Sequence, residues 1–246
     1  MNYCVIIPAR YESSRLPGKP LIELCGLPMV IRTYKQCIKA CPSEKVFVAT
    51  DDERIRDVCE SNNIQVIMTS SNCLTGTDRI AECAKYIAAD VFINVQGDEP
   101  IFNPRDLEIL ISNIEKYPGE VLNGYCKISD EYLFRSGSIP KVVFRPDGRL
   151  LYMSRAPIPS NKEQSFKKAW RQVCAYAFPR EALKDFSSLN EKTQLECIED
   201  IEILRFLELG WDVRMLELSN DSIAVDTPDD IQRVESAIRD RDLLNV

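Results

Sequence analysis

Four short apolar runs, each followed by an amphipathic stretch, constrain the fold of this chain more than any other feature. The runs are "CVIIPA" (residues 4–9), "KVFVAT" (45–50), "IQVIMT" (64–69) and "DVFINVQ" (90–96). Short runs that are apolar throughout are typical of strands buried on both faces, and such strands alternate with helices in parallel sheets. The pattern therefore predicts an α/β fold with a doubly wound, mostly parallel sheet.

Helix signals follow the apolar runs. Asn103 is a good N-cap, and Pro104 suits the first helical position because no intrahelical bond needs its amide hydrogen. In a doubly wound sheet the loops after the strands meet at one edge, where ligands bind. The predicted helices of the first half span residues 28–39, 52–61, 77–88 and 104–116.

The alternation loosens after about residue 120. A Pro-Asp-Gly sequence at 146–148 is typical of a hairpin turn. We predict a single domain over residues 1–246, with a smaller β-rich lobe inserted at about 130–190. Strands are predicted at 120–128, 139–154, 172–178 and 211–218, and helices at 196–209 and after "DTPDD" (226–230).

The chain has no histidine among its 246 residues. Without an imidazole, a Ser-His-Asp triad and a Cys-His pair are both excluded. Catalysis must then use carboxylates, cations, hydroxyls, thiols or a metal.

Composition also narrows the partners. The formal net charge of -7 is opposite to the basic excess of a general nucleic-acid binder. The ten cysteines contain no C-x-x-C pair, so we expect free thiols rather than a zinc site. No apolar run approaches the ~18 residues of a membrane span, and the first residues lack the pattern of a signal peptide. We therefore expect a cytoplasmic protein that binds neither membranes nor nucleic acids.

The first stretch that carries chemistry is "CVIIPARYESSRLPGKP" (4–20), in which Arg10, Arg15 and Lys19 follow a buried strand. Fixed cations and backbone amides at the end of a strand suit a polyphosphate, because they offset its negative charges. The loop lacks the glycine spacing and the Ser or Thr of a Walker A loop. The alternative is a basic loop that faces solvent.

Two further loops carry carboxylates after apolar runs. Asp98 and Glu99 lie in "NVQGDEP" (94–100), and Asp226 lies in "AVDTPDD" (224–230). Carboxylate oxygens are preferred ligands of Mg²⁺, which keeps several waters or substrate oxygens as its other ligands. Asp98 and Asp226 together would make a magnesium site that faces the phosphate loop. The alternatives are an ordinary turn at the first loop and a helix cap at the second.

A fourth stretch, "TGTDRIAE" (75–82), opens a helix with Gly76 and Thr77. Its amides and hydroxyl could contact a nucleotide or a sugar, and Arg79 could reach a phosphate or a base. The alternative is a plain helix N-terminus with an exposed arginine.

Taken together, these stretches resemble the 3-deoxy-manno-octulosonate cytidylyltransferases, also called CMP-Kdo synthetases. The resemblance extends in order along nearly the whole chain. CMP-sialate synthetases share the general scheme but match less closely. The matching strings are "IIPARYESSRLPGKPL", "VATDD", "GTDRIAE", "NVQGDEP", "YMSRAPIP", "LECIEDIEILRFLELG" and "VDTPDD".

The resemblance implies an α/β fold of the nucleotide-diphospho-sugar transferase type, with the smaller lobe used for homodimerisation. It implies that CTP reacts with an acidic 3-deoxy-2-ulosonic sugar, Kdo or a relative, to give the CMP-sugar and pyrophosphate. Mg²⁺ would be the cofactor. An outer-membrane lipid, a capsule or another glycan would receive the sugar.

The resemblance also assigns roles to residues. Catalysis would rest on Arg10, Arg15, Lys19 and Asp98, and the metal would be held by Asp98 and Asp226. The nucleotide would be bound by Ala9, Arg10, Arg15, Lys19, Gly76, Thr77 and Arg79. The sugar pocket would be lined by Gln96, Arg155, Gln172, Tyr176, Glu196 and Glu199.

One strand departs from the family pattern. Family members carry H-x-G-x-Y-G-[YF], whereas this chain reads "QVCAYAF" (172–178) and keeps only the two aromatic residues. Gln172 can still hydrogen-bond a hydroxyl but cannot become cationic. Cys174 and Ala177 add bulk where glycine allows a close approach.

This departure leaves alternatives open. The substrate could be a different acidic sugar, such as an amino-octulosonate or a nonulosonate. The chain could instead bind CTP without catalysing transfer, or it could use another nucleotide base.

Overall fold

The computed structural model describes residues 1–12 and 16–244. Within these ranges nine strands form one central sheet, and two short strands form a separate ribbon. The strands are β1 (Tyr3–Pro8), β2 (Glu23–Leu24), β3 (Leu27–Pro28), β4 (Val46–Thr50), β5 (Gln65–Met68), β6 (Val91–Val95), β7 (Val121–Lys127), β8 (Lys141–Phe144), β9 (Leu150–Ser154), β10 (Trp170–Pro179) and β11 (Val213–Glu217).

Helices connect most of the strands. Asn103 caps the fourth helix through its side chain, as predicted. Across the described part of the chain, none of these helices combines the length and the apolar character that a membrane crossing requires. The helices are α1 (Met29–Cys37), α2 (Glu53–Ser61), α3 (Gly76–Cys83), α4 (Pro104–Ile114), α5 (Glu131–Arg135), α6 (Arg180–Ser187), α7 (Gln194–Glu199), α8 (Ile203–Glu208) and α9 (Pro228–Asp240).

Parallel pairing organises one half of the central sheet, whose main strand order is β11-β7-β10-β6-β1-β4-β5. β1 pairs in parallel with β4 and with β6, so that Val5 lies between Val46 and Ile93. β5 continues the parallel arrangement beyond β4. The predicted α/β fold with a mostly parallel sheet is confirmed.

Both faces of this sheet are buried. Along β1, Val5 and Ile7 pack into one apolar cluster with α1, α2 and α4. Cys4 and Ile6 pack into a second cluster with α3, α6 and α8 on the opposite face. Each fully buried aliphatic side chain contributes about 1.5–3 kcal/mol to the free energy of unfolding. Both faces of the sheet therefore favour apolar residues, which explains the unbroken apolar runs.

β10 runs against the direction of its neighbours. It is antiparallel to β6 and β7, and its first residues also pair with β8, which forms a hairpin with β9. The predicted hairpin turn is confirmed, since the Arg145 amide donates to the Arg149 carbonyl at 2.8 Å. The β-rich lobe at about 130–190 stays a prediction; its last strand, β10, is part of the central sheet.

The predicted helix over residues 196–209 is wrong in its extent. The structure has two helices, α7 and α8, separated at Asp200, whose φ of 52° is left-handed. The Arg155 guanidinium donates to the Asp200 carbonyl at 2.9 Å and so satisfies a carbonyl at the break. A contact between residues this far apart in the chain cannot be inferred from the spacing of apolar residues along a predicted helix. The predicted helix over 77–88 also ends early, at Cys83.

Candidate active site

A cleft of about 390 Å³ opens beside the loops that follow β1 and β6. The start of α3 and the residue Asp226, before α9, complete it. Parallel strands place these loops on one edge of the sheet, as expected. Of the residues predicted from the sequence, the cleft is lined by Ala9, Arg10, Lys19, Gly76, Arg79, Gln96, Asp98 and Asp226. Arg15, also predicted to bind the triphosphate, lies outside the described residues.

Lys19 contacts both carboxylates of the predicted metal site. Its Nζ donates to Asp98 Oδ2 at 2.6 Å and to Asp226 Oδ1 at 3.3 Å. A short 3₁₀ turn, Lys19–Leu21, positions the lysine after Gly18, which adopts a left-handed φ of 69°. The loop after β1, the loop after β6 and the segment before α9 therefore meet at one ammonium group.

The backbone holds the two aspartates together. The Val225 amide donates to the Asp98 carbonyl at 2.9 Å. Thr227, not Asp226, is the N-cap of α9, where it forms a capping box with Asp230. Asp226 therefore does not act as the helix cap that the sequence left as an alternative, and its carboxylate is directed to Lys19 instead.

The adjacent carboxylates of "NVQGDEP" have different environments. Asp98 lines the cleft, whereas Glu99 is buried and accepts a hydrogen bond from the Ser222 hydroxyl at 2.7 Å. Burial raises the pKa of Glu99 to about 7. Of the two, Asp98 is the residue placed to contact a ligand in the cleft.

Gly97 determines how closely the loop after β6 can approach the loop after β1. A Cβ at this position would lie 2.6 Å from the carbonyl oxygen of Pro8, the last residue of β1. The Thr33 hydroxyl also donates to the Gly97 carbonyl at 3.3 Å. Glycine is needed here because a side chain would push Asp98 away from the β1 loop.

The N-terminus of α3 is built by a capping box between Thr75 and Asp78. Thr77 is buried, and its amide donates to Glu202 Oε2 at 3.1 Å. Arg79 is also buried, and its guanidinium donates to the Thr69 hydroxyl and the Asp51 carboxylate. Arg79 therefore lines the cleft as a fixed cation rather than as an exposed side chain.

The donor set fits a hard divalent cation. Two carboxylates already converge on one cation, the Lys19 ammonium, which shows that the geometry can hold positive charge. Over residues 1–12 and 16–244, no group of three or more Cys, Asp or Glu side chains converges as a ready metal site. Mg²⁺ suits such an incomplete set, because it is usually held by one or two carboxylates together with substrate phosphates and water.

The divergent strand forms a largely buried polar cluster outside the lining of the cleft. Gln172 donates to Asn123 Oδ1 at 3.1 Å and to the Tyr176 hydroxyl at 3.3 Å. Burial raises the pKa of Cys174 to about 12 and the pKa of Tyr176 well above its usual value, so both stay protonated at neutral pH. Asn94, opposite Tyr176 on β6, is fully buried, and within the described chain neither atom of its amide has a hydrogen-bond partner.

Three residues predicted to line the sugar pocket have internal partners instead. Glu196 is fully buried and forms two hydrogen bonds with Arg205, at 2.6 and 2.8 Å. Glu199 accepts from the Ser154 hydroxyl at 2.6 Å and from the Arg155 amide at 2.8 Å. The Arg155 guanidinium donates to the Glu199 carbonyl at 2.6 Å. None of these three lines the cleft, and neither do Gln172 and Tyr176; of the residues predicted for the sugar pocket, only Gln96 does.

Sequence reasoning missed several charged residues that line the cleft. Lys192 donates to the Asp200 carboxylate at 2.7 Å, and both lie in the wall of the cleft. Glu202 lies there too, and burial raises its pKa even though the Thr77 amide and hydroxyl donate to it. Two of these residues, Asp200 and Glu202, lie in the string "LECIEDIEILRFLELG". The sequence predicted one continuous helix there, and that prediction did not indicate which of its acidic residues reach the cleft.

The α/β sheet with a cleft of cations and carboxylates at its edge is compatible with a nucleotidyltransferase, and the comparisons with known proteins identify that class. Residues 4–216 match a family model described as cytidylyltransferase. A solved structure of CMP:2-keto-3-deoxy-manno-octonic acid synthetase complexed with CTP matches with a TM-score of 0.92 and 34% identity, covering 98% of this chain and 100% of that one.

Two curated proteins match over nearly their whole length. One is the 3-deoxy-manno-octulosonate cytidylyltransferase of Protochlamydia amoebophila (strain UWE25), 39% identical over 94% of this chain and 92% of that protein. The other is the 8-amino-3,8-dideoxy-manno-octulosonate cytidylyltransferase of Shewanella amazonensis (strain ATCC BAA-1098 / SB2B), 38% identical over 97% of this chain and 99% of that protein. The chain belongs to the cytidylyltransferase family.

Replacing Gly97 tests the close approach at the cleft. We expect Gly97→Ala to lower the free energy of unfolding by about 1–3 kcal/mol, because the new methyl group overlaps the Pro8 carbonyl. Gly137→Ala is the matched control, since nothing lies within 4 Å of its Cβ position. Urea denaturation measures both. Equal stability of the two variants would show that the β6 loop moves aside without cost.

Replacing Glu196 tests the buried ion pair. Glu196→Ala should lower the free energy of unfolding by about 3–5 kcal/mol, because it removes the carboxylate that makes two hydrogen bonds with the buried Arg205 and leaves only Asp78, at 3.5 Å. The control is Glu181→Ala, which breaks an exposed pair with Lys184 and should change stability by less than about 1 kcal/mol. Urea denaturation with far-UV circular dichroism distinguishes the two. A small effect at Glu196 would contradict a scaffold role.

Proposed function

We propose that this protein transfers CMP from CTP to a 3-deoxy-2-ulosonic acid, Kdo or a close relative, and releases pyrophosphate. The observation that carries the proposal is the convergence of Lys19, Asp98 and Asp226 in one cleft of a cytidylyltransferase chain. The names of the two curated relatives, a Kdo and an amino-Kdo cytidylyltransferase, support the class of sugar.

The cations bind the nucleotide in this proposal. Arg10 and Lys19 line the cleft and would hold the triphosphate, together with Arg15. Gly76 and Arg79 would contact the nucleotide from α3. Fixed cations of this kind orient the α-phosphate for in-line attack by the anomeric hydroxyl and stabilise the charge on the departing pyrophosphate.

The carboxylates hold the metal. Asp98 and Asp226 would bind Mg²⁺, which when bound would offset the charge of the triphosphate and lower the pKa of the attacking hydroxyl. The chain's own part is to keep the two carboxylates adjacent, through the bond between the Val225 amide and the Asp98 carbonyl. None of these steps needs histidine, in agreement with the composition.

The sugar would bind along the polar wall of the cleft, to which Gln96 contributes. Gln172 and Tyr176 on β10 lie outside that lining and are hydrogen-bonded to each other, so they would act on the wall from behind it. Lys192 and Glu202 are further candidates because they also line the cleft. We propose that Arg155, Glu196 and Glu199 shape this wall through their internal bonds rather than by direct contact.

The second candidate function is the transfer of CMP to a related acidic sugar. It is favoured by the divergent strand, where Gln172, Cys174 and Ala177 stand in place of a histidine and two glycines of the family pattern. The curated relatives include enzymes named for an amino-octulosonate as well as for Kdo. The homodimer and the cytoplasmic location expected from the sequence stay predictions.

The metal carboxylates provide the first test. We expect Asp98→Asn and Asp226→Asn to lower kcat/KM for pyrophosphate release from CTP by at least about a hundredfold, because each removes a charged metal ligand. Asp57→Asn changes an exposed carboxylate and serves as the control. A coupled pyrophosphate assay with Mg²⁺ measures all three. Normal turnover in both cleft variants would contradict the metal assignment, and a preference for UTP, GTP or ATP over CTP would contradict the choice of nucleotide.

A panel of acidic sugars tests the substrate. We expect turnover with Kdo, 8-amino-3,8-dideoxy-octulosonate or a nonulosonate, and we expect Gln172→His to change the ratio of kcat/KM between the first two at least threefold. The KM for CTP should stay within about twofold, because Gln172 contacts Asn123 and Tyr176 rather than the phosphate loop. Gln194→His, at an exposed position on α7, is the control. CTP binding by thermal shift without turnover on any sugar would favour a silent CTP-binding homologue.

A further inference from the structure

The two carboxylates of the proposed metal site share a cation supplied by the protein itself. The Lys19 ammonium lies 2.6 Å from Asp98 Oδ2 and 3.3 Å from Asp226 Oδ1. The lysine side chain is only 16% exposed, and the turn that carries it is held by a bond from the Gly18 amide to the Tyr11 carbonyl at 3.0 Å. The contact is therefore built by the fold around the β1 loop.

This arrangement places two positive groups in competition. The Lys19 ammonium lies at hydrogen-bond distance from both carboxylates. A divalent cation bound by the same oxygens would lie within a few ångström of this ammonium, and the two positive charges would repel each other strongly. Binding of the metal to these oxygens would therefore favour movement of the lysine away from them. Lysine suits such a movement, since its charge sits at the end of a flexible four-carbon chain.

A comparison with the buried ion pair between Arg205 and Glu196 distinguishes a cation that a ligand can displace from one that it cannot. The Arg205 and Glu196 side chains are 1% and 0% exposed and lie outside the lining of the cleft. Lys19, Asp98 and Asp226 all line the cleft, and the two aspartates are 28% and 44% exposed. A ligand can reach the Lys19 contacts, whereas it cannot reach the Arg205 contacts.

We propose that Lys19 is an internal counter-ion of the metal site. It neutralises Asp98 and Asp226 when no metal is bound, and its ammonium transfers to the triphosphate when metal and nucleotide arrive. The metal alone then binds weakly because it must displace the lysine, and the triphosphate relieves this cost by accepting the displaced charge. Metal and nucleotide consequently favour each other's binding. The inference rests on the metal site of the proposed function.

The test measures Mn²⁺ binding to the full-length, nucleotide-free protein, by isothermal titration calorimetry or by the paramagnetic resonance signal of free Mn²⁺. Lys19→Met should lower the Kd for Mn²⁺ about tenfold, because the competing cation is gone. Lys19→Arg keeps a cation and should leave the Kd within about threefold of the wild-type value.

Lys192→Met is the matched control. It removes the same charge from the same cleft, but Lys192 pairs with Asp200 and not with the metal carboxylates. It should change the Kd for Mn²⁺ by less than about threefold. In EDTA the Tm of Lys19→Met should fall below that of the wild type and recover when Mn²⁺ is added, because the variant loses the ammonium that contacts both carboxylates and a bound cation replaces its charge. This reversible loss also distinguishes the effect from misfolding.

The outcomes separate this inference from the proposed function. Asp98→Asn must weaken Mn²⁺ binding; if it does not, the metal site lies elsewhere and both proposals fall. Weaker binding in Asp98→Asn without tighter binding in Lys19→Met would overturn the counter-ion role alone. Equal tightening in Lys19→Met and Lys192→Met would also overturn it, because the effect would then come from the overall charge of the cleft.

Discussion

The parallel pairing of β1 with β4 and β6 is the constraint on which the site depends. It aligns the carboxyl ends of β1 and β6, so that the chain leaves Pro8 and Val95 at neighbouring points of one edge. Gly97 then packs its backbone against the Pro8 carbonyl, which no larger residue could do. Basic and acidic loops that are distant in sequence are brought into contact by this pairing, and the Lys19 to Asp98 ion pair is the result.

The opposite wall of the cleft is built by long-range polar contacts rather than by strand alignment. Arg205 pairs with Glu196 and approaches Asp78 at 3.5 Å, and Asp78 forms the capping box at the start of α3. Arg155 donates to the carbonyls at the break between α7 and α8. These paired charges hold the segments that line the cleft, and the Arg205 to Glu196 pair does so from a fully buried position, where an unpaired charge would be costly.

The two kinds of ion pair have different physical roles in one active site. The Glu196 to Arg205 pair is sealed from solvent, so neither partner is available to a ligand. The contacts of Lys19 lie in the open cleft, where a ligand can reach them. Burial, more than residue type, therefore separates the charges that hold the scaffold from the charges that a ligand can reach.

The position of the charged loops at one edge of the sheet could be predicted because their signals are local: an apolar run, then a loop with Arg10 and Lys19 or with Asp98. The strands of the parallel half were predictable for the same reason, since burial on both faces requires apolar residues throughout. The break at Asp200 and the internal bonding of Arg155 and Glu196 were not, because their partners lie elsewhere in the chain. The stretches that resemble the family contain these acidic and basic residues, but they do not indicate the direction in which the side chains point.

By itself, the sequence determined the α/β class, the absence of histidine from any chemistry and the positions of the charged loops that line the cleft. Each follows from composition or from neighbouring residues. Only the tertiary structure decided that Lys19 rests between Asp98 and Asp226, that Lys192 and Glu202 line the cleft, and that Glu196 does not. The physical reason is that charge pairing and burial depend on distances in space, which strand pairing and the packing of α7 and α8 set.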